Sequence, residues 1–272
     1  MIRPLFGPLF GPLIGPLIGM ARIGLRFQLA YRSDVIMTVL TLIAQVFLLR
    51  MVWTSVYGAQ QQAQGMTLPQ LLAYLSLANL QAFATTPVIP YIALLRIRTG
   101  MVFFDLSRPT GYLPQLAAFQ AGHTAGGLLL LAPAIPVVLL VGSITPTGQP
   151  LAYAGTLLLG YAISVQLSLL ICLIGFWTLE TSAIALLYRL TSQFFAGTLV
   201  PLSFFPGALG TLAEALPFKY LGYVPAAVYV GHLSGASVLH ALAAEVAWVA
   251  GLTVLLWAVW QRAHRRVVIN GG

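Results

Sequence analysis

Charge is what this sequence has least of. Only 7% of its 272 residues are Asp, Glu, Lys or Arg, where soluble domains carry about a quarter. So few charges cannot cover a water-soluble fold of this size, and a bilayer is the solvent that suits the chain. Lysine is nearly absent: Lys219 is the only one, and Tyr220 follows it. A P-loop needs a Gly-rich turn ending in Lys-Ser/Thr so that backbone donors and the ammonium cradle phosphates. No Walker motif exists here, so this chain does not hydrolyse ATP by that route. Cys172 is the only cysteine, which excludes a disulfide within the chain and reads as a small apolar residue. His123, His232, His240 and His264 fall in different segments without metal-ligand spacing, so no metal site is expected.

What the sequence does have is apolar length. Hydrophobic residues make up 59% of it, and they gather in six runs: 35–57, 69–95, 116–141, 153–177, 189–205 and 237–260. A helical span needs about 20 residues to cross roughly 30 Å of hydrocarbon. The expected fold is therefore an all-α integral membrane protein with six transmembrane helices. The fifth run is short, and Pro133 and Pro136 predict a kink in the third. Ahead of the runs, residues 4–19 repeat Pro-Leu-(Phe/Ile)-Gly four times. Proline at every fourth position removes donors and clashes with the preceding turn, so no regular helix is expected there. Residues 1–19 read as a Pro/Gly-rich low-complexity tail, an upstream extension of a single membrane domain over 20–272.

The net charge of +8 is explained by topology. Arg3, Arg22, Arg26 and Arg32 precede the first run; Arg96, Arg98 and Arg108 follow the second. Arg189 follows the fourth, and Arg262, Arg265 and Arg266 follow the sixth. With six alternating spans all fall on one side, and Lys219 alone faces the other. The positive-inside rule then places both termini in the cytoplasm of a cell membrane, and a nucleic-acid partner is not expected. Residues 21–34 alternate basic and apolar residues, with Ile23, Phe27 and Ala30 near one helical face; this reads as an N-terminal amphipathic helix in the membrane interface. Arg50 lies inside the first span and Glu245 at a similar depth in the sixth. An intramembrane ion pair, within or between subunits, is one reading, and outward snorkelling of Arg50 is the other. Asn79, Gln81, Thr85, Thr86, Ser164, Gln166 and Ser168 are polar in mid-span, and helix–helix hydrogen bonds account for most such residues.

Between the fifth and sixth runs stands PLSFFPGALGTLAEALPF, residues 201–218, too apolar for a solvated loop and too broken for a span. Irregular backbone at membrane depth survives only where protein or a water-filled cavity shelters it. We expect an outer re-entrant helical hairpin here, against the plainer alternative of an amphipathic loop resting on the bilayer. The stretch resembles the last third of permease subunits of ABC type-2 exporters. The likeness rests on Pro201, Phe204, Phe205, Pro206, Leu216, Pro217, Phe218, Tyr223, Pro225 and Gly231, in that order. LRIRTGMVFFDLSRP (95–109) resembles the family's first cytoplasmic loop, and FQLAYRSD (27–34) its opening interfacial helix.

The resemblance implies a permease that works as a homo- or heterodimer with a second permease subunit. It also implies docking of a separate ATP-binding cassette ATPase, which holds ATP and Mg; this chain binds no cofactor itself. ATPase coupling would fall to Arg22, Arg26, Tyr31, Arg32 and Asp34, and to Arg96, Arg98, Asp105 and Arg108. The outer gate would be Pro201, Phe204, Phe205, Pro206, Pro217 and Phe218. Two other classes stay open. One is a membrane-embedded enzyme using His123 with Glu180 or Asp105. The other is a non-transporting assembly subunit.

Overall fold

The computed structural model describes residues 14–58, 62–63, 65–86, 88–145, 147–178 and 182–266. The chain is helical nearly throughout. In order come α1 (Ile14–Ala30), α2 (Arg32–Tyr57), α3 (Leu68–Thr85), α4 (Ile89–Arg98), α5 (Val102–Leu106), α6 (Tyr112–Leu131) and α7 (Ile135–Val141). They are followed by α8 (Pro150–Ile174), α9 (Ser182–Phe195), α10 (Gly207–Ala215), α11 (Tyr223–Tyr229) and α12 (Ala236–Ala263). A two-residue antiparallel pair, β1 (Gln62–Ala63) and β2 (Met66–Thr67), joins α2 to α3. Thr67 then caps α3: its hydroxyl accepts from Gln70 N, and the Gln70 side chain accepts from Thr67 N at 3.0 Å. This reciprocal box satisfies two otherwise orphaned donors and fixes where the helix starts.

Among the described residues, five helical stretches are long and apolar enough to cross a membrane: 36–57, 68–98, 112–141, 150–174 and 236–263. They match five of the six expected runs. α2 shows why a bilayer is required. It buries Leu42, Val46 and Trp53, yet exposes Leu40, Phe47, Leu48 and Met51. A helix apolar on both faces needs lipid on the outer one. The third stretch is interrupted at Ala132–Ala134 by a 3-10 turn where Pro133 stands, the kink expected from its prolines.

α8 is the axis of the bundle. Towards its Ile174 end, Val165, Leu169, Cys172 and Leu173 pack with Ile89, Ala93, Tyr112, Leu116 and Leu256. Around its middle, Ile163 packs with Ala196, Tyr220, Leu221, Val224 and Leu252. Trp53, Tyr57, Leu71, Leu75 and Ala226 form a separate cluster beside it.

Two expectations need correction. The fifth run, 189–205, is not one span: α9 ends at Phe195, and its 14 residues reach only about 21 Å at 1.5 Å per residue. Gly197, with φ of +73°, turns the chain there. A side chain at 197 would collide with the Tyr74 hydroxyl and Leu202, so glycine is required by space as well as by conformation. The amphipathic helix also differs from its expected form. α1 begins no later than Ile14, so residues 14–19 of the repeat are helical; Pro16 stands near the start of the described helix, where a missing N–H matters least. The rest of the repeat, with Arg3, lies outside the described residues.

α1 lies along α6, not across the ends of the spans. Gly24 meets the backbone of Phe119 and His123, and Gly122 meets that of Ala21, each so closely that a methyl group would not fit. The face turned to α6 carries Gly24 and Gln28, while Ile23 and Phe27 are exposed. Small residues allowing backbone approach set this seam, as they do between helices in lipid, and Phe27 of the hydrophobic stripe packs at its edge against Phe119 at 5.8 Å.

Candidate functional site

The expected span 69–95 is broken in its middle. α3 stops at Thr85 and α4 starts at Ile89, with a proline at 87 in the sequence. A break inside the bundle strands backbone groups, and three side chains answer them. Gln120 Nε2 donates to Thr86 O at 3.2 Å, while its Oε1 accepts from Val88 N at 3.0 Å. Ser164 Oγ donates to Thr85 O at 2.7 Å, and Thr124 Oγ1 to Ala84 O at 3.4 Å. Polar residues on α6 and α8 thus shelter irregular backbone from lipid. Asn79 works similarly, donating to Thr198 O at 2.8 Å beyond the end of α9. Gln81 donates to the Tyr153 hydroxyl, and Gln166 to Thr253 Oγ1 at 2.7 Å. The reading of the mid-span polar residues as helix-to-helix glue fits these partners.

Residues 196–231 double back into the bundle. After α9 the chain passes a 3-10 turn at Leu202–Phe204 and α10, then descends to a second 3-10 turn at Pro217–Leu221. The lowest part of that turn lies against α8: the Tyr220 carbonyl occupies the space where a Gly160 side chain would be. Gly160 is ten residues from the Pro150 end of α8, so the tip sits about 15 Å along the helix. α11 then rises again, and Tyr229 packs edge-on against Tyr153 at 4.9 Å.

An aromatic row locks this loop to its neighbours. Phe205 stacks on Phe194 at 5.1 Å, Phe194 meets Phe195 at 5.1 Å, and Phe195 stacks on Phe218 at 6.4 Å. Phe204 meets Trp53 edge-on at 5.2 Å. Pro201 and Pro217 are buried, and Pro206 is exposed. The structure therefore brings the six expected gate residues into one region, held by α9 and α2. Lys219 is half-buried beside the tip. Past α11, burial holds the His232 imidazole below its ordinary range.

Arg50 and Glu245 are not joined within the chain. Arg50 Nη1 donates to Val141 O and lies 3.5 Å from Ser143 Oγ. It caps the C-terminus of α7, where orphan carbonyls and the negative end of the helix dipole attract a cation. Glu245 is fully buried in α12, and neither carboxylate oxygen has a hydrogen-bond partner among the described residues. Its side chain is fully enclosed by the chain's own residues.

At the opposite end, the second expected coupling patch does assemble. Arg96 grips Asp105 with two bonds, one of 2.8 Å from Nη2 and a shorter one from Nε. Arg108 Nη1 lies 3.5 Å from Asp105 and donates to Gln115 Oε1 at 3.1 Å. Gln115 in turn donates to the carbonyls of Asp105 and Thr110. The paired charges fold the 99–111 loop over the end of α4. Arg98 also has a partner. Arg22, Arg26 and Tyr31 are exposed along α1. The side chains of Arg32 and Asp34, and all of Glu180, lie outside what is described. His123 packs beside Phe27 at 6.2 Å. It stands eight residues past Gln115 on α6, roughly 12 Å from the Asp105 network, so these two do not make the alternative acid/base pair.

Arg189 is the largest displacement from expectation. It does not flank the Ile174 end of α8. It lines a cleft with Thr85, Thr86, Ser192, Gln193 and Thr198. Thr86 is twelve residues short of Arg98, which puts the cleft roughly 18 Å from that end of the bundle. Sequence reasoning also missed Gln120, Phe194 and Phe195. The proline at 87 signalled that a break would need polar partners, but not which helix would supply them. The Phe-Phe pair lay inside a run already assigned to one span.

The long apolar helices and the buried irregular segments define a multi-pass membrane protein of the transporter kind. A profile of the ABC-2 family transporter proteins matches residues 39–271. The chain belongs to that family, as the membrane-spanning permease of an ABC transporter. No curated protein matches it.

Proposed function

We propose that the chain is the membrane subunit of an exporter that moves an amphipathic or lipid-like cargo outward by alternating access. Segment 207–231 acts as a re-entrant outer gate. The observation that carries this reading is the hairpin tip: a broken loop seated against Gly160 about 15 Å into the bundle, closed by the Phe205–Phe194–Phe195–Phe218 row. Such a plug suits a path that must stay shut until driven open. α9 and the irregular chain up to Pro206 make the sixth crossing in two pieces, which returns both termini to the cytoplasm. The Arg96–Asp105–Arg108 loop, with Met20 of α1 beside Arg108, then faces a separate ATPase subunit, which supplies ATP and Mg, and the permease pairs with a second permease subunit.

Purification of the full chain from its own membrane in mild detergent tests this. An ATPase with Walker motifs should be retained, and its hydrolysis should quicken in proteoliposomes when cargo is present. Lys219 should react with an impermeant amine reagent from the outer side, while a tag after Arg266 should be reached only from inside. Absence of any ATPase, or labelling of both positions from one side, refutes the proposal.

A further inference from the structure

We propose that the Arg189 cleft is the site that takes the anionic head of the cargo, a phosphate ester or carboxylate on an apolar tail. The inference rests on the exporter reading and deepens it by naming a cargo class. Arg189 stands level with the α3–α4 break, exposed on α9, and among the described residues its side chain makes no ion pair and no hydrogen bond. A charge at this depth is normally paired or in contact with a path for ions or substrate. No described residue lining the cleft is acidic, so the described walls offer the guanidinium no counter-charge.

The surroundings select an oxyanion. Gln193 follows Arg189 by one helical turn, and both line the cleft, so guanidinium and amide donors point into one space. A guanidinium is the side chain best shaped to hold phosphate or carboxylate through two parallel bonds. The hydroxyls of Thr86, Ser192 and Thr198 now donate to backbone carbonyls of Ala82, Arg189 and Gln193, and rotation turns each toward a ligand. The flanks select an amphiphile, since the cleft is narrow, open at its mouth and has no room for a tail. On the adjoining stripe of α9, Leu187, Leu190 and Phe194 are exposed at 63%, 53% and 45%, an apolar track for the tail. Leu221, from the hairpin tip, lines the same cleft, so an occupant would touch the segment assigned to the gate.

The test uses the full chain in nanodiscs of neutral phosphatidylcholine. The probes are three fluorescent single-chain lipids with one tail: a lysophosphatidate, a fatty acid and a monoacylglycerol. The wild type should bind at least one anionic probe tenfold or more tighter than the monoacylglycerol, and the preferred probe tells phosphate from carboxylate. Arg189→Gln should abolish the preference, Arg189→Lys should keep part of it, and Arg262→Gln, at an exposed distal arginine, should leave it unchanged. Unchanged preference in Arg189→Gln overturns the proposal, as does a wild type without preference. Loss of the dimer in Arg189→Gln, seen by native mass spectrometry, overturns it too, because Arg189 would then pair with a second copy. Size-exclusion profiles of both Arg189 variants separate these results from misfolding. No ATPase enters the binding assay, so failure here is distinct from failure of the exporter reading, which co-purification decides.

Discussion

Replacing Gln120 with leucine should damage this protein far more than removing an ordinary interhelical hydrogen bond. The side chain is buried and serves two backbone groups at once, Thr86 O and Val88 N. Leucine preserves most of the volume but leaves both groups without a partner in a water-poor interior. Each buried unsatisfied group costs about 1–3 kcal/mol, so the pair should lose roughly 2–6 kcal/mol. Gln166→Leu is the contrast. Its partner Thr253 already donates to Val249 O at 2.7 Å and keeps that bond when the amide is gone. That change should cost nearer the ~0.6 kcal/mol typical of hydrogen bonds between membrane helices. Equilibrium unfolding in mixed micelles of mild and denaturing detergent measures both variants. If Gln120→Leu costs no more than Gln166→Leu, the broken α3–α4 backbone does not depend on Gln120, and the reasoning is wrong.

Gly160→Val should be destabilising by about 1–3 kcal/mol through overpacking against the Tyr220 carbonyl; Gly155→Val, facing only the flexible end of Leu242 at 3.4 Å, should cost clearly less in the same unfolding assay. Asp105→Asn should weaken the grip of Arg96 and Arg108 by about 1–2 kcal/mol, discounted for their exposure; amide hydrogen exchange in 99–111 should rise, and unchanged exchange would contradict the clamp. His232 is held below its ordinary value by burial, so the unfolded chain binds the proton more readily. Stability contributed at neutral pH should therefore fall as pH drops below the ordinary histidine range, and a His232→Gln chain should show a flatter acid limb in thermal unfolding.

Five of the crossings were legible because an apolar run of sufficient length has few other uses. Composition alone carried that. The prolines marked where helices fail, at 87, 133 and 201–217, since a missing donor acts locally. What could not be read was where the failed segments go. α1 was assigned by its Ile23–Phe27 stripe, but the Gly24 and Gly122 contacts decided its position, and glycine gives no hydrophobic signal. The Arg50–Glu245 pair followed from matched depth along two spans. Depth says nothing about direction around a helix, and Arg50 turns to the carbonyl of Val141 instead. Arg189 was counted with the cytoplasmic arginines because the fifth run was taken to start there; α9 begins seven residues earlier and carries it inward.

The irregular segments are not scattered. The gap between α3 and α4, the chain after α9, and the hairpin tip all meet around Gly160–Ser164 of α8: Ser164 bonds Thr85 O, Ile163 packs on Ala196 and Tyr220, and Gly160 receives the tip. Regular helices in lipid satisfy their own backbone and gain nothing by bending. Three breaks at one level therefore need a common cause, and each break leaves a short rigid piece on either side. A bundle so divided can tilt α3, α10 and α11 against α4 and α9 while the exchanged bonds stay confined to a handful of side chains. On the proposed function, alternating access asks for a molecule with this division, and Arg189, whose side chain is unpaired among the described residues, lies beside the seam between the two sets.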